Sequence, residues 1–301
     1  MATTEIRTEV RAPARAEART APRPGRRVPA GTVIRHAILM LFVAIIILPL
    51  LWVVILSIKS LPDAYQGNLW PKHFDFTHYS YVLQHISTIP KNFRNSFIAT
   101  FGTIITTTVS AVLGGYALAH TRMWGRRIVF SFLVASLFFP TRITALIAVF
   151  QLQKSLGLLN VNPGLILPYT TLSLALCIFI MKGIFEGISK EIADQARIDG
   201  AGAFRTLWSI MLPLAWNGIV VVIMVVFVTA WGEFLLERTL INEQEVFTMP
   251  QVLGTVFGGM GAWAWPRIAA VYVMSVIPGI VIFAIVQRWY IRGLTEGALK
   301  G

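Results

Sequence analysis

Long apolar stretches alternate with short polar ones along the whole chain after its first few dozen residues. The apolar runs fall near residues 37–58, 97–119, 128–149, 164–181, 216–236 and 268–287, each close to the roughly 20 residues with which a helix crosses about 30 Å of hydrocarbon. The pattern therefore predicts an all-α membrane protein with six transmembrane helices. Irregular backbone is not tolerated against lipid, so Pro49, Pro140, Pro168 and Pro278, all inside these runs, mark kinks packed against a neighbouring helix or a cavity. The Gly114–Gly115 pair in the second span provides for close helix contact.

Composition agrees with this reading. With 55% hydrophobic and 13% charged residues and a mean hydropathy of +0.67, the chain is too apolar for a soluble globule. Its 301 residues accommodate one membrane domain and leave little for a separate catalytic one. A net charge of +12 would point a soluble protein toward nucleic acid, but the placement of the charges explains it otherwise. With the amino terminus inside, the inner segments hold Arg7, Arg11, Arg15, Arg19, Arg23, Arg26, Arg27 and Arg35, then Arg122, Arg126 and Arg127. They continue with Lys182, Lys190, Arg197 and Arg205, then Arg288, Arg292 and Lys300. The outer segments keep Lys59, Lys72, Lys91, Arg94, Lys154, Arg238 and Arg267. This asymmetry puts both termini in the cytoplasm and removes nucleic acid as a partner.

Residues 1–36 are rich in Arg, Ala and Pro, lack the apolar core of a secretory signal, and read as a disordered basic cytoplasmic tail ahead of a membrane domain over 37–301. Glu5, Glu9 and Glu17, with no serine, argue against a mitochondrial transit peptide. The single cysteine, Cys177, precludes an internal disulfide and a multi-cysteine metal site. His73, His78 and His85 share one outer loop without companions at ligand spacing and read as solvated.

The inner loop over about 183–214 carries the most information. Ser189 is placed to cap a helix whose first turn holds Glu191, favourable at the positive end of the helix dipole. Gly200 and Gly202 suit the end of that helix, where a left-handed backbone is needed. Phe204, Leu207, Trp208 and Met211 then recur at i, i+3, i+4 and i+7, which predicts a second helix with one large apolar face, ended by Leu212–Pro213. The pattern alone fits an amphipathic helix-turn-helix resting on lipid headgroups equally well.

Resemblance adds to this. Asp194–Gln195–Ala196, Gly200, Ile210, Leu212 and Pro213 stand at the spacing of the signature loop of the membrane subunits of ATP-binding-cassette importers: Glu-Ala-Ala, three residues, Gly, nine residues, Ile, any residue, Leu, Pro. Asp replaces Glu at 194 and Gln replaces Ala at 195, which keeps the acid but shortens it. The ending from Gln287 to Gly301 resembles the tail of carbohydrate-importer subunits of the maltose-transporter type, and Trp231–Gly232–Glu233–Phe234–Leu235 and Gly157–Leu158–Leu159–Asn160 are similar to stretches of that family.

The resemblance covers roughly 37–301 and implies a type I importer transmembrane domain in a bacterial cytoplasmic membrane. It also implies a second homologous permease subunit, two ATPase subunits that hold ATP and Mg, and an extracytoplasmic solute-binding protein as partners. Glu191, Asp194, Gln195, Ala196, Asp199, Gly200, Phe204, Leu207, Trp208, Leu212 and Pro213 would then contact or position the ATPase. The chain has no phosphate-binding Gly-rich loop ending in Lys-Ser or Lys-Thr, so it is not the ATPase, and no cofactor or metal is expected on it. Neither a nucleophile nor a cluster of acids and histidines marks an enzyme. A self-contained secondary carrier remains the rival, and glycerol phosphate an alternative solute to a sugar.

For the solute pathway, Arg142 stands out. It lies roughly two-thirds of the way along the third span at 1.5 Å per residue, where a charge costs about 3 kcal/mol unless it faces protein or water or snorkels to the outer headgroups. Glu233 lies nearer the boundary, where it could pair with Arg142. Trp231, Phe234, Trp263 and Trp265 suit stacking on a sugar or an interfacial aromatic belt; Phe138, Phe139 and Gln151 share that ambiguity. Asn242 and Gln251, between the fifth and sixth spans, are candidates for contact with solute or binding protein.

Overall fold

The computed structural model describes residues 30–121, 124–138, 145–259 and 264–298. Regular structure among them is helical, apart from an isolated bridge between Lys59 and Phe74. In chain order the helices are α1 Ala30–Ser57, α2 Leu61–Tyr65, α3 Thr77–His85, α4 Ile89–His120, α5 Arg126–Phe138, α6 Leu146–Ser155 and α7 Pro163–Gly187. They continue with α8 Lys190–Ile198, α9 Ala203–Leu214, α10 Trp216–Trp231, α11 Leu235–Leu240, α12 Met249–Gly258 and α13 Trp265–Ala298.

Contacts divide the chain into two units, residues 1–50 and 51–301. In the first, the described residues form most of α1 and present apolar side chains such as Ile38, Phe42 and Ile46 to the surface.

Four described helices have stretches long and apolar enough to cross a membrane: Gly31–Ser57, Ile89–His120, Pro163–Gly187 and Trp265–Ile291. A fifth candidate is the pair α9 and α10, bent by 81°. The expected span over 128–149 is represented by α5 and α6, with Pro140 and Arg142 outside the described residues. The expected span over 216–236 stops early at Trp231. Gly232 closes α10, and the Glu233 carboxylate accepts a hydrogen bond from the Leu236 N–H at 2.9 Å, starting α11 instead. Other helices exceed their apolar runs: α1 starts at Ala30 and α4 at Ile89, because polar residues form helical turns that hydropathy does not register.

The second unit is built around α4 and α7. One stripe of α4, with Ile98, Phe101, Ile105 and Val109, is exposed and suits lipid, while Asn92, Ser96, Ala99, Thr103, Thr107 and Ala111 are buried on the other side. Small and polar residues inside with aliphatics outside is the membrane arrangement, since lipid gives aliphatic side chains no reason to hide. The glycine pair allows the close approach expected of it. A Cβ on Gly115 would lie 2.6 Å from the Met181 Cβ and 2.9 Å from the Lys182 nitrogen. Thr106 and Thr170 hydroxyls meet across the pair at 2.7 Å.

Helix α10 packs on both of these helices and on α13. Gly218 admits Ile184, whose Cδ1 lies 2.0 Å from where a Cβ would stand. One apolar cluster gathers Tyr116, Met181, Phe185, Leu207, Met211 and Phe227. A second joins Val82, Tyr169, Leu240, Phe247 and Met249 around the other half of α4.

Candidate functional site

In the 190–214 segment, Ser189 caps α8 by accepting from the Glu191 N–H at 3.3 Å. The helix ends at Gly200, whose φ of 78° is left-handed and unfavourable for a residue with a Cβ. Gly202 differs from expectation: with φ −67° and ψ 163° it is an extended N-cap of α9, so one left-handed residue suffices for the turn.

The predicted single apolar face of the second helix is divided. Leu207 and Met211 are buried among α4 and α7 side chains, whereas Phe204 is 72% and Trp208 66% exposed, their rings stacked 6.2 Å apart at 11°. The backbone from Leu207 to Met211 is a π-helix. Its wider turn rotates successive residues by less than an α-helix does, so a pattern counted at α-helical spacing merges two faces that here point apart. Leu212–Pro213 does not stop the helix; α9 runs to Leu214, and the chain bends at the buried Ala215 into α10.

The segment is thus rooted on one side and open on the other. Ala193 and Ala196 of α8 are buried with Leu207 and Met211, and Leu212 is partly so. Glu191, Asp194, Gln195, Ile198, Asp199, Gly200, Phe204 and Trp208 face outward, as does Pro213. Asp194 and Arg197 form an ion pair at 3.2 Å, and Arg197 also donates to the His120 carbonyl at 3.1 Å.

Among the described residues, the pathway candidates do not converge on one site. Trp231 is buried, stacked on Phe227 at 5.6 Å, and donates its indole N–H to the Ser275 carbonyl at 3.1 Å. Phe234 and Trp265 line a cavity of about 740 Å³ with Trp52, Gly232, Phe257 and Tyr272. A neighbouring cavity of about 580 Å³ includes Trp231, Gly232, Phe227 and Tyr272. Both are largely apolar. Phe138 and Gln151 are exposed on α5 and α6 and line neither cavity. Glu233 is buried, its carboxylate engaged by α11. Asn242 is exposed and donates its backbone N–H to the Asn160 Oδ1 at 2.7 Å, while Gln251 is fully enclosed. Arg142, Phe139 and Trp263 lie outside the described residues.

Sequence reading missed Glu237, which is fully buried on α11 and accepts from the Thr248 N–H at 2.5 Å and from the Thr248 hydroxyl. Burial pushes its carboxyl up to about 7, against the lowering effect of the two Thr248 bonds and with a smaller raising effect from Glu233. It also missed Asn92 and Asn95, whose amides hold the carbonyls of Gln244, Glu245 and Phe247. Their signal was available: Asn92, Asn95 and Ser96 are polar at i, i+3 and i+4 just before an apolar run.

Residues 110–296 match the family model for the inner membrane component of binding-protein-dependent transport systems. The chain is 31% identical over 276 residues to the diacetylchitobiose uptake system permease protein of Streptomyces coelicolor, covering 89% of this chain and 88% of that one. It is 32% identical over 267 residues to the trehalose transport system permease protein of Mycobacterium tuberculosis, covering 87% and 95%. Among solved structures, a bacterial ABC transporter involved in the import of the acidic polysaccharide alginate superposes with a TM-score of 0.75 at 24% identity, over 90% of this chain and all of that one. The chain belongs to the family of inner membrane components of binding-protein-dependent transport systems, and is a multi-pass permease subunit of an ABC importer.

Proposed function

We propose that this subunit forms half of a translocation pathway for a sugar or oligosaccharide and takes its mechanical drive through residues 190–214. Six spans carry the membrane domain from residue 37 to 301, with α5 and α6 together belonging to the third span and α10 supplying the fifth. Both termini are cytoplasmic. The partners are a second homologous permease subunit, two ATPase subunits and an extracytoplasmic solute-binding protein. ATP and Mg belong to the ATPase subunits. The relatives that transport diacetylchitobiose, trehalose and galactooligosaccharides by name support the solute class.

The observation that carries this reading is the division of the 190–214 segment. A surface loop held only by lipid headgroups has no need of a buried root, yet Ala193, Leu207 and Met211 are at most 3% exposed. Meanwhile the stacked Phe204 and Trp208 are exposed, as are the charged Lys190, Glu191, Asp194, Arg197, Asp199 and Arg205 of the same segment. An exposed aromatic pair on a segment that also exposes charged residues suits a protein-binding hot spot. The ATPase subunit is its occupant. Its movement is passed to the spans as rigid units.

The test is co-purification. Replacing Phe204 and Trp208 together by Ser should leave membrane insertion intact, since both are exposed, and should strip the ATPase subunits from the complex, with a loss of at least tenfold in retained ATPase. Retention at the wild-type level would remove the docking role.

A further inference from the structure

The root of the 190–214 segment contains a junction that docking does not require. At the end of α4, His120 is held from two directions. Its carbonyl, one of the last four of the helix with no partner in the ladder, accepts the Arg197 Nη2 of α8 at 3.1 Å. Its ring Nε2 lies 2.9 Å from the Phe185 carbonyl near the end of α7. A carbonyl only accepts, so Nε2 is the protonated nitrogen of the ring. Tyr116, one turn earlier on α4, packs edge-on against Phe185 at 5.7 Å and beside the His120 ring at 5.5 Å. Three helices therefore meet at His120.

Arg197 brings α8 to this junction by a hydrogen bond. Its other terminal nitrogen, Nη1, holds Asp194 on its own helix at 3.2 Å. The rigid fork of a guanidinium is thereby fixed at one prong by α8 and at the other by α4. A cation at a helix C-terminus is also favoured by the helix dipole. Helices α4 and α7 are locked together behind this point by the close contact at Gly115.

We infer that Arg197 is a positioning residue that transmits movement of α8 to the α4–α7 pair, a role that rests on the docking of the ATPase at the outward face of the same segment. Displacement of α8 pulls on the terminal carbonyl of α4, and the His120 ring carries α7 with it. Without the guanidinium, α8 retains its apolar contacts through Ala193 and Ala196 but slides against α4. Lysine does not replace it, because a single ammonium does not reproduce a two-pronged bridge.

The experiment uses the full complex, with its ATPase subunits and binding protein, in lipid nanodiscs. Spin labels are placed at the exposed positions Ile105 of α4 and Ile280 of α13, and the distance between them is read by pulsed electron resonance without nucleotide and with MgATP and vanadate. The only native cysteine, Cys177, is fully buried and is left in place. The wild type should show a nucleotide-dependent shift. Arg197→Ala should retain the ATPase subunits while losing more than half of that shift, and Arg197→Lys should recover little of it. If the alanine variant does not assemble, the lysine variant is read in the same way.

A full shift in variants that hold the ATPase overturns the transmission role and leaves the docking proposal standing. Loss of the ATPase subunits from both variants also overturns it, because Arg197 would then serve docking itself. Absence of any shift in a wild-type complex with bound ATPase would defeat the coupling role of the whole segment.

Discussion

Glu237 is enclosed completely, and the backbone and hydroxyl of Thr248 hold its carboxylate oxygens where α11 meets the start of α12. Its carboxyl, ordinarily near 4.5, is raised to about 7 by burial. The folded protein therefore binds this proton more tightly than the unfolded chain. The resulting stabilisation is complete below about 4.5 and is lost as pH rises toward about 7, where the folded form also ionises. Thermal unfolding of the purified complex should fall between pH 5 and 8, and Glu237→Gln, which retains an acceptor for the Thr248 N–H, should flatten that fall. An unchanged pH dependence in the variant would assign the sensitivity to other groups. None of this was legible in the sequence, where Glu237 is an ordinary acid beside Arg238. Gly200 was legible, because a helix that turns back within a few residues requires a left-handed residue; that Gly202 is extended depends on how α9 begins.

At the scale of elements, the α4–α7 pair follows from the sequence more directly than any other. Gly114–Gly115 inside an apolar run announces a close helix crossing, and the structure puts Met181 against Gly115. Gly115→Leu forces side-chain and backbone shifts that typically cost about 1–3 kcal/mol, and should lower the unfolding temperature of the purified complex. Gly183→Ala on α7 is the control, because nothing lies within 4 Å of its added Cβ. Equal behaviour of the two variants would contradict the packing role of Gly115.

Helix ends were less legible than helix centres. Hydropathy finds the part of a helix that lies in lipid, so the polar first turns of α4, with Asn92 and Asn95, and the last turns of α7, with Lys182 and Glu186, were left out. The π-helix in α9 was hidden for a different reason: its spacing is visible only once Leu207 and Met211 find a core to enter.

Across the whole molecule, the bilayer as solvent was readable from composition, and the family from the loop and the tail. The expected aromatic pathway was less so. Aromatic residues look alike in sequence whether they line a cavity, as Phe234 does, or fill the core, as Phe185 does. Charge placement led to the proposal that residues 190–214 face the cytoplasm, and on that side the ATPase must meet them. A photoreactive benzoylphenylalanine placed at Phe204 tests this most directly, with the same probe at Phe74, exposed in the α2–α3 connection, as its counterpart. On irradiation of the assembled complex, the probe at Phe204 should cross-link to an ATPase subunit and the probe at Phe74 should not. Cross-links to the ATPase from Phe74 and none from Phe204 would contradict both the orientation and the docking face.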